Sequence, residues 1–406
     1  MNLLFRILIP ITLFFCGFNF NALSAQEKLE GYLIDKANGQ PIPFANISIK
    51  AKATLGTVSN EDGFFRFDTD GIASYDTLLI THINYVSHSL PVQVFLRQGD
   101  SKILLTESIT ELNEIQVNAS EDFQTFEDIV SQTKKSLRFP MTTNIYYREL
   151  VKENKSFNKF ADGLLTVVYE KDGDENKIKM RVDQCRTAKL PKDEDDQFEL
   201  VSPVKIDLVL GHEFGNFLNR FRKENQENYH FYSFPENSNR GERLIIIEPK
   251  KEADRSDDKL LYRAIIKADQ NNIIKEVQME MDSLCHFEKS LLGLKYAIKQ
   301  TRTLLTFKEI SGINYLAFAR INIIITFTTK KFQQTENFVS EFITINVKPE
   351  AKEMIKADLY KKTSLYKHPN KYEFPFWKDL NLPVPTEEEE RLILELEKKA
   401  KEGTAK

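Results

Sequence analysis

The segment from residue 31 to residue 67 constrains the fold most, because short apolar runs alternate there with turns that contain glycine. Asn38 and Gly39 form one turn, and Gly63 closes another with the positive φ that glycine tolerates. Apolar residues alternate with polar neighbours, as in half-buried strands, at Ala45, Ile47, Ile49, Phe65 and Phe67. The pattern predicts β-strands joined by hairpins.

Two further apolar runs, at residues 78–83 and 92–96, follow with short spacings and without a helical period. Together with the preceding segments they indicate an all-β sandwich of about seven strands. We expect this unit to end near Val117, and we assign residues 26–118 to it.

The same stretch resembles the carboxypeptidase-regulatory-like domain, a transthyretin-like sandwich common in envelope proteins of the Bacteroidetes. The resemblance covers residues 28–118 and rests on Gly31, Asp35, Gly39, Pro41, Ala45, Gly56, Thr57, Gly63 and Phe65. Residues 83–85 read Ile-Asn-Tyr where the family has Ile-Gly-Tyr, and residues 112–117 resemble its exit segment. The resemblance implies a sandwich that works as an interaction module in the cell envelope.

The ligand pattern of zinc carboxypeptidases is missing despite the family name. Those enzymes use a His-x-x-Glu pair and a distant histidine, because catalytic zinc needs three protein ligands and one open position. His212-Glu213 starts like a His-Glu-x-x-His helix, but Asn216 occupies the position of the second ligand. Glutamate does not follow three residues after any histidine, at His82, His88, His212, His230, His286 or His368.

Other catalytic motifs are also missing from the sequence. It contains no nucleophile elbow, phosphate-binding loop or dinucleotide fingerprint. We therefore predict a protein that is not an enzyme, and we assign no catalytic, cofactor-binding or metal-binding residue and no cofactor.

The first 25 residues have the pattern of a cleaved secretory signal peptide. A positive charge precedes an apolar core at residues 7–18, and residues 23–25 read Leu-Ser-Ala, as at a cleavage site. The alternative is lipidation at Cys16, although the bulky Phe15 stands where lipoprotein signals have a small residue. We expect export to the periplasm or to the periplasmic face of the outer membrane.

Composition argues against two classes of protein. Apolar residues make up 41% and charged residues 29% of the chain. No stretch after the signal peptide reaches the ~18 uncharged apolar residues that a membrane-spanning helix needs, so we expect no transmembrane span in the mature chain. The formal net charge of −4 is mildly acidic and argues against a nucleic-acid partner.

Residues 119–350 form a second predicted domain that begins with a helix. After Ser120 the apolar residues recur at helical spacing until Pro140, at Phe123, Phe126, Ile129, Val130 and Leu137. Long alternating segments then indicate about ten antiparallel strands, with turns at residues 269–272 and 311–312. We expect a helical insert at residues 208–221.

The predicted fold class is thus mainly β. It comprises an N-terminal seven-stranded sandwich, a helix with an antiparallel sheet that forms an open or half-barrel, and a C-terminal helix. The second domain resembles, in architecture only, the half-open barrel of periplasmic lipoprotein carriers, which implies a hydrophobic cavity for acyl chains. The 30 phenylalanines and 14 tyrosines suit such a cavity, but a large β core needs the same residues.

Two polar clusters and two cysteines have more than one interpretation. Residues 146–149 read Tyr-Tyr-Arg-Glu and are expected to place aromatic rings and an ion pair on adjacent strand faces. They line a groove, or they only reflect the alternation that any strand shows. Residues 193–196 are acidic but lack the spacing of a calcium loop. Cys185 and Cys285 form one disulfide or remain separate thiols.

Residues 351–406 form a tail that ends in a helix. Thr386 and Glu389 have the spacing of a capping box, and glutamates at the start and lysines at the end complement the helix dipole. Residues 372–377 contain the only tryptophan. We expect the aromatic residues of this segment either to anchor a partner or to dock on the chain's own surface.

These features predict a non-enzymatic, exported cell-envelope binding or assembly protein whose sandwich is an interaction module. The expected partner is an envelope protein, a lipid or a glycan. One alternative is an accessory component of a TonB-dependent outer-membrane uptake system, because the same sandwich precedes the plug of many such receptors. The other is a hydrolase whose acid and base come from distant strands.

Overall fold

The computed structural model describes residues 28–50, 52–97, 101–108, 119–153, 156–173, 175–189, 204–235, 241–256, 259–291, 293–367 and 382–404. Within these residues the chain has two small sheets near the N-terminus, one large antiparallel sheet, few helices and a C-terminal helix. The predicted mainly β fold class is confirmed. The signal-peptide pattern with Cys16, the acidic residues 193–196, the aromatic residues 372–377 and His368 lie outside the described residues.

The N-terminal unit has seven strands in its described part, as the sequence predicts. They are β1 (Lys28–Asp35), β2 (Asn46–Ile49), β3 (Lys52–Val58), β4 (Phe64–Asp68), β5 (Thr77–His82), β6 (Tyr85–Pro91) and β7 (Lys102–Leu105). The strand orders are β4-β1-β7 and β3-β2-β5-β6, and β1 pairs with β7 in parallel. Leu33, Ile47 and Phe65 belong to the core that both sheets share and are fully buried.

The prediction of a strand at residues 92–96 is wrong, because these residues belong to helix α1 (Val92–Arg97). Val92 and Phe95 stand three residues apart, so one helical face buries both of them in the sandwich core. The Phe95 ring lies 6.1 Å from the Phe65 ring, measured between centroids.

Eleven antiparallel strands form the large sheet in the described residues, close to the ten or so expected. They are β8 (Met141–Glu153), β9 (Ser156–Asp172), β10 (Glu175–Lys189), β11 (Tyr229–Pro235), β12 (Arg243–Pro249), β13 (Tyr262–Ala268), β14 (Ile274–Met281), β15 (Phe287–Leu291), β16 (Leu294–Ile310), β17 (Ile313–Thr328) and β18 (Gln333–Lys348). The order is β10-β9-β8-β18-β17-β16-β14-β13-β12-β11, with β15 paired to β16. The meander is therefore sequential apart from two pairings, that of β8 with β18 and that of β14 with β16.

Both predicted hairpin turns are present. The Asp269 amide donates to the Ile273 carbonyl at 2.9 Å, and Asn272 adopts a φ of 59°. Ser311 and Gly312 adopt φ values of 51° and 76° between β16 and β17. Left-handed backbone at asparagine and glycine explains why these residue types mark the turns.

The described helices of the second unit and the tail are α2 (Ala119–Ser136), α3 (Ile206–Leu210) and α4 (Glu387–Thr404). The expected insert at residues 208–221 is helical but broken. It continues from α3 as 3-10 turns that Gly215, with a φ of 67°, interrupts. None of the helices in the described residues is long and apolar enough to span a membrane.

Helix α2 and the helical insert pack on one face of the large sheet, which we call the inner face. Phe126 and Phe221 are fully buried there, and Phe231 is nearly so. The Phe126 ring lies 5.2 Å from the Phe231 ring and 6.4 Å from the Phe221 ring. These aromatic residues build a packed core, and a large β-sheet needs such large apolar side chains to fill its core.

The opposite face of the large sheet, the outer face, contacts the sandwich and the C-terminal helix. Val58 of the sandwich packs against Leu304 and Phe318. Leu392 of α4 packs in a separate cluster against Leu150 and Phe160. Two parts of the chain that are distant in sequence therefore meet on one sheet.

Replacing Phe126 with alanine tests the inner core. We expect a loss of about 3–5 kcal/mol in the free energy of unfolding, because the truncation leaves a cavity among Phe123, Phe221 and Phe231. Urea unfolding followed by circular dichroism measures the change. Tyr75→Ala is the control, because Tyr75 is 83% exposed. An equal loss in both variants would contradict this account of the core.

Candidate functional site at the junction of the sandwich, the sheet and the C-terminal helix

Five charged residues occupy directly paired positions on five neighbouring strands. The order across the sheet is Arg186 on β10, Asp162 on β9, Arg148 on β8, Glu341 on β18 and Arg320 on β17. Each lies in a strand whose alternate residues point to the same face, so all five side chains project from the outer face. We call this set the charged row.

The charges in the row alternate in sign, and ion pairs join Arg186 to Asp162 and Glu341 to both Arg148 and Arg320. Arg186 binds Asp162 through two hydrogen bonds of 2.7 Å, in the bidentate arrangement that guanidinium groups favour. Arg148 and Arg320 both donate to the carboxylate of Glu341. Asp162 also accepts from the Tyr146 hydroxyl at 2.9 Å. Because four of the five residues are buried, unpaired charge here would be strongly destabilising.

The row alone has three guanidinium groups and two carboxylates, and other parts of the chain supply further carboxylates. Glu389 of α4 accepts from Arg148 at 3.3 Å. Glu61, in the β3–β4 connection of the sandwich, accepts from Arg320 at 2.8 Å. The charged row therefore joins all three parts of the molecule.

The predicted capping box of the C-terminal helix is confirmed, and it has a second use. The Thr386 amide donates to Glu389 at 2.9 Å, and the Glu389 amide donates to the Thr386 hydroxyl at 3.3 Å. Glu389 thus orients its carboxylate for the cap and for Arg148 together. Burial raises the pKa of Glu389, but Arg148 and the cap outweigh burial and lower it below the ordinary value.

Burial also affects the arginines of the junction. It lowers the pKa of Arg320 to about 10, and the carboxylate of Glu61 opposes that shift. Burial acts in the same direction on Arg148, but nearby acids, Glu389 first, raise its pKa overall. Both guanidinium groups therefore stay charged at neutral pH and need their carboxylate partners.

Phe44 brings the sandwich into contact with the same site. Its ring lies 4.1 Å from the Arg320 guanidinium, in a cation–π contact. The backbone of Phe44 has a φ of 61°, which is rare for a bulky residue. Beside this contact is a cavity of about 250 Å³ between Phe44 and the outer face of the sheet.

The side chains of residues 146–149 divide between the two sheet faces. The prediction of an ion pair between Arg148 and Glu149 is wrong. Arg148 pairs with Glu341 and Glu389 on the outer face. Glu149 lies on the inner face, where it accepts from the Ser364 hydroxyl at 2.5 Å and the Leu365 amide at 3.3 Å. Strand alternation separates neighbours in sequence, so adjacent opposite charges do not meet.

His212 and Glu213 are buried in the inner core and do not form a metal site. Burial lowers the pKa of His212 to about 4 and raises the pKa of Glu213 to about 8. One oxygen of Glu213 accepts from the Leu316 amide at 2.8 Å, and the other has no hydrogen-bond partner within the described part of the chain. Among the described residues, no group of three histidine, cysteine, aspartate or glutamate side chains could hold a metal ion.

Cys185 and Cys285 are both buried and no disulfide joins them, so the disulfide alternative is wrong. Cys185 belongs to β10 and Cys285 follows β14. Each behaves as a small apolar residue in the inner core.

Sequence reasoning missed Glu61, Asp162, Arg186, Arg320 and Glu341 as site residues. The one local indication was a charged residue inside an otherwise apolar strand, as with Arg320 in residues 313–328. Such residues need a buried partner. The partner follows only from the strand register, which residue order does not contain.

The family comparison concerns the N-terminal unit. Residues 29–117 match the family model described as the CarboxypepD_reg-like domain. The N-terminal sandwich is similar to a CarboxypepD_reg-like domain over these residues. The resemblance expected from the sequence is therefore confirmed for that part of the chain. No curated protein matches the chain.

Two solved structures are weakly similar to part of this chain. A structure of lipovitellin that describes its lipid–protein interactions is 12% identical over 57% of this chain and 28% of its own, with a TM-score of 0.25. This chain thus spans 28% of the lipovitellin chain. A LolA superfamily protein from Nitrosomonas europaea is 11% identical over 58% of this chain and 97% of its own, with a TM-score of 0.19.

Replacing Glu341 with glutamine tests the charged row. We expect a loss of about 3 kcal/mol in the free energy of unfolding, because two buried guanidinium groups lose their shared carboxylate. Urea unfolding measures the loss. Glu288→Gln is the control, because Glu288 pairs with Lys295 at the surface and the change should cost no more than about 1 kcal/mol. If the two variants lose the same stability, the row does not hold the junction.

The pH dependence of a Glu213→Gln variant tests the buried acid. The folded-state pKa of about 8 exceeds the ordinary value of 4.5, so the folded protein binds more protons than the unfolded chain between these values. The wild type therefore loses stability as pH rises through this window. The difference in the free energy of unfolding between Glu213→Gln and wild type should therefore shift in favour of the variant by on the order of 2–4 kcal/mol from pH 5 to pH 8. The surface variant Glu227→Gln should gain little, and a pH-independent difference for Glu213→Gln would refute the assignment.

Proposed function

We propose that the protein is a non-enzymatic, exported cell-envelope binding or assembly protein whose sandwich docks a partner protein. The observation that carries this proposal is an apolar patch on the β4-β1-β7 sheet. The patch comprises Tyr32, Ile34, Phe64 and Leu104, which occupy alternate or directly paired positions on one sheet face. Tyr32 is 40% exposed and Leu104 is 53% exposed.

The patch is separate from the contacts that hold the sandwich on the large sheet. Those contacts pass through Phe44, Val58, Glu61 and Asn84. A sandwich held on the large sheet by these contacts presents the patch in one orientation. A contiguous exposed apolar surface is typical of a protein–protein interface. An envelope protein with an apolar contact surface is the partner that suits it.

The buried acids support a binding function rather than catalysis. Glu149 and Glu213 have raised pKa values, about 7 and about 8, because both are buried. Both lie in the packed inner face, where they accept hydrogen bonds from Ser364, Leu365 and Leu316. A general acid or base must lie within hydrogen-bonding distance of a substrate, and these packed positions do not allow that.

Export is proposed from the signal-peptide pattern of residues 1–25.

Photo-crosslinking tests the docking surface. A photoreactive amino acid replaces Leu104 in the full chain expressed in its own host, and Leu284 serves as the control because it is 60% exposed outside the sandwich. We expect a discrete adduct with one envelope protein at position 104 and none at position 284. The purified partner should then bind the Tyr32→Ser, Leu104→Ser double variant at least about tenfold more weakly than wild type. The same adduct from both positions, or unchanged affinity of the double variant, would overturn the proposal.

A further inference from the structure

The cavity at the junction has walls from two parts of the chain. Its floor is the outer face of β16, β17 and β18, and Phe44 of the sandwich forms its other side. At about 250 Å³ it lies just below the range of ~300–1,000 Å³ that drug-sized ligands occupy. Cavities of this kind between two structural units are common ligand sites.

Paired amide side chains line the floor. Asn322 donates from its amide nitrogen to the side-chain oxygen of Asn337 at 2.8 Å, so each amide fixes the orientation of the other. The Asn322 oxygen and the Asn337 nitrogen then have no further side-chain partner among the described residues. A third amide, that of Gln300, stands on the neighbouring strand. The floor therefore presents hydrogen-bond donors and acceptors side by side.

The charged groups that line the cavity are already paired. Arg320 binds both Glu341 and Glu61. Arg302 lies 3.0 Å from the carboxylate of Glu280. Because each guanidinium has its carboxylate, the cavity has no excess positive charge that would select an anion.

The side provided by Phe44 is an aromatic ring held in a strained backbone conformation. The φ of 61° is sterically unfavourable for phenylalanine. The Phe44 amide nevertheless donates to the Ser59 carbonyl at 3.0 Å, and the ring is seated over Arg320. The surrounding structure thus keeps an aromatic face beside the amides.

We propose that this cavity binds one uncharged sugar ring of an envelope glycan. Adjacent donors and acceptors match neighbouring hydroxyl groups, and the Phe44 ring offers an apolar surface for the C–H side of the sugar. Leu304 and Ile324 complete the apolar part of the lining. The site is distinct from the apolar patch that docks the partner protein, so either assignment stands without the other.

Saturation-transfer NMR and calorimetry on the full mature chain test the sugar site. The probes are N-acetylglucosamine, glucose and galactose, with glucuronate as the charged comparison. We expect at least one uncharged sugar to bind with a millimolar or tighter dissociation constant, and glucuronate to bind no better than the uncharged sugars.

Two variants and a control locate the binding. Asn337→Ala removes a donor from the floor and should weaken binding about 3- to 10-fold. Phe44→Gly removes the ring while glycine accepts the same φ, so binding should weaken without backbone rearrangement. Gln333→Ala is the matched control, because Gln333 lies exposed on the same strand and outside the cavity. Thermal unfolding checks that each variant is folded, and Asn337→Ala alone decides if Phe44→Gly does not fold.

Three results would overturn the proposal. The first is that none of the uncharged sugars binds at millimolar concentration. The second is that glucuronate alone binds, which would assign an anion site at Arg302. The third is that an uncharged sugar binds equally to wild type and to folded Asn337→Ala, which would place the sugar elsewhere.

Discussion

The placement of the sandwich and the C-terminal helix depends on two buried guanidinium groups of the charged row, those of Arg148 and Arg320. Buried charge is tolerated only where opposite charge lies close by. Asp162 and Glu341 neutralise part of the row from within the sheet, while Glu61 and Glu389 reach it from other parts of the chain. Apolar contacts at Val58 and Leu392 also stabilise the packing of these parts on the sheet. Apolar contacts have no directional preference. The ion pairs give the junction its specific geometry.

The two faces of the large sheet have different uses. The inner face buries aromatic side chains of α2 and the helical insert, such as Phe126 and Phe221, and so builds the main core. The outer face carries the polar network and the contacts with the sandwich. The groups suited to binding, which are Phe44, the paired amides and the apolar patch, lie at the sandwich and its junction rather than in the interior.

Much of the fold could be predicted from local pattern. The hairpin turns at Asn272 and Ser311, helix α2 and the capping box at Thr386 each follow from residue types a few positions apart. The strand expected at residues 92–96 failed because Val92 and Phe95 also fit a helical face, and a run that short has no clear period.

The sequence by itself determined the class of the N-terminal sandwich, the dominance of β-structure and the start of the C-terminal helix, because turn chemistry, alternation and capping are encoded within short windows. Tertiary structure alone decided which distant side chains meet. Arg148 stands beside Glu149 in the chain, yet it pairs with Glu341 and Glu389, because the strand register and the docking of α4 determine its neighbours. Such contacts join residues about 190 to 240 positions apart, and no local pattern specifies a register over that distance.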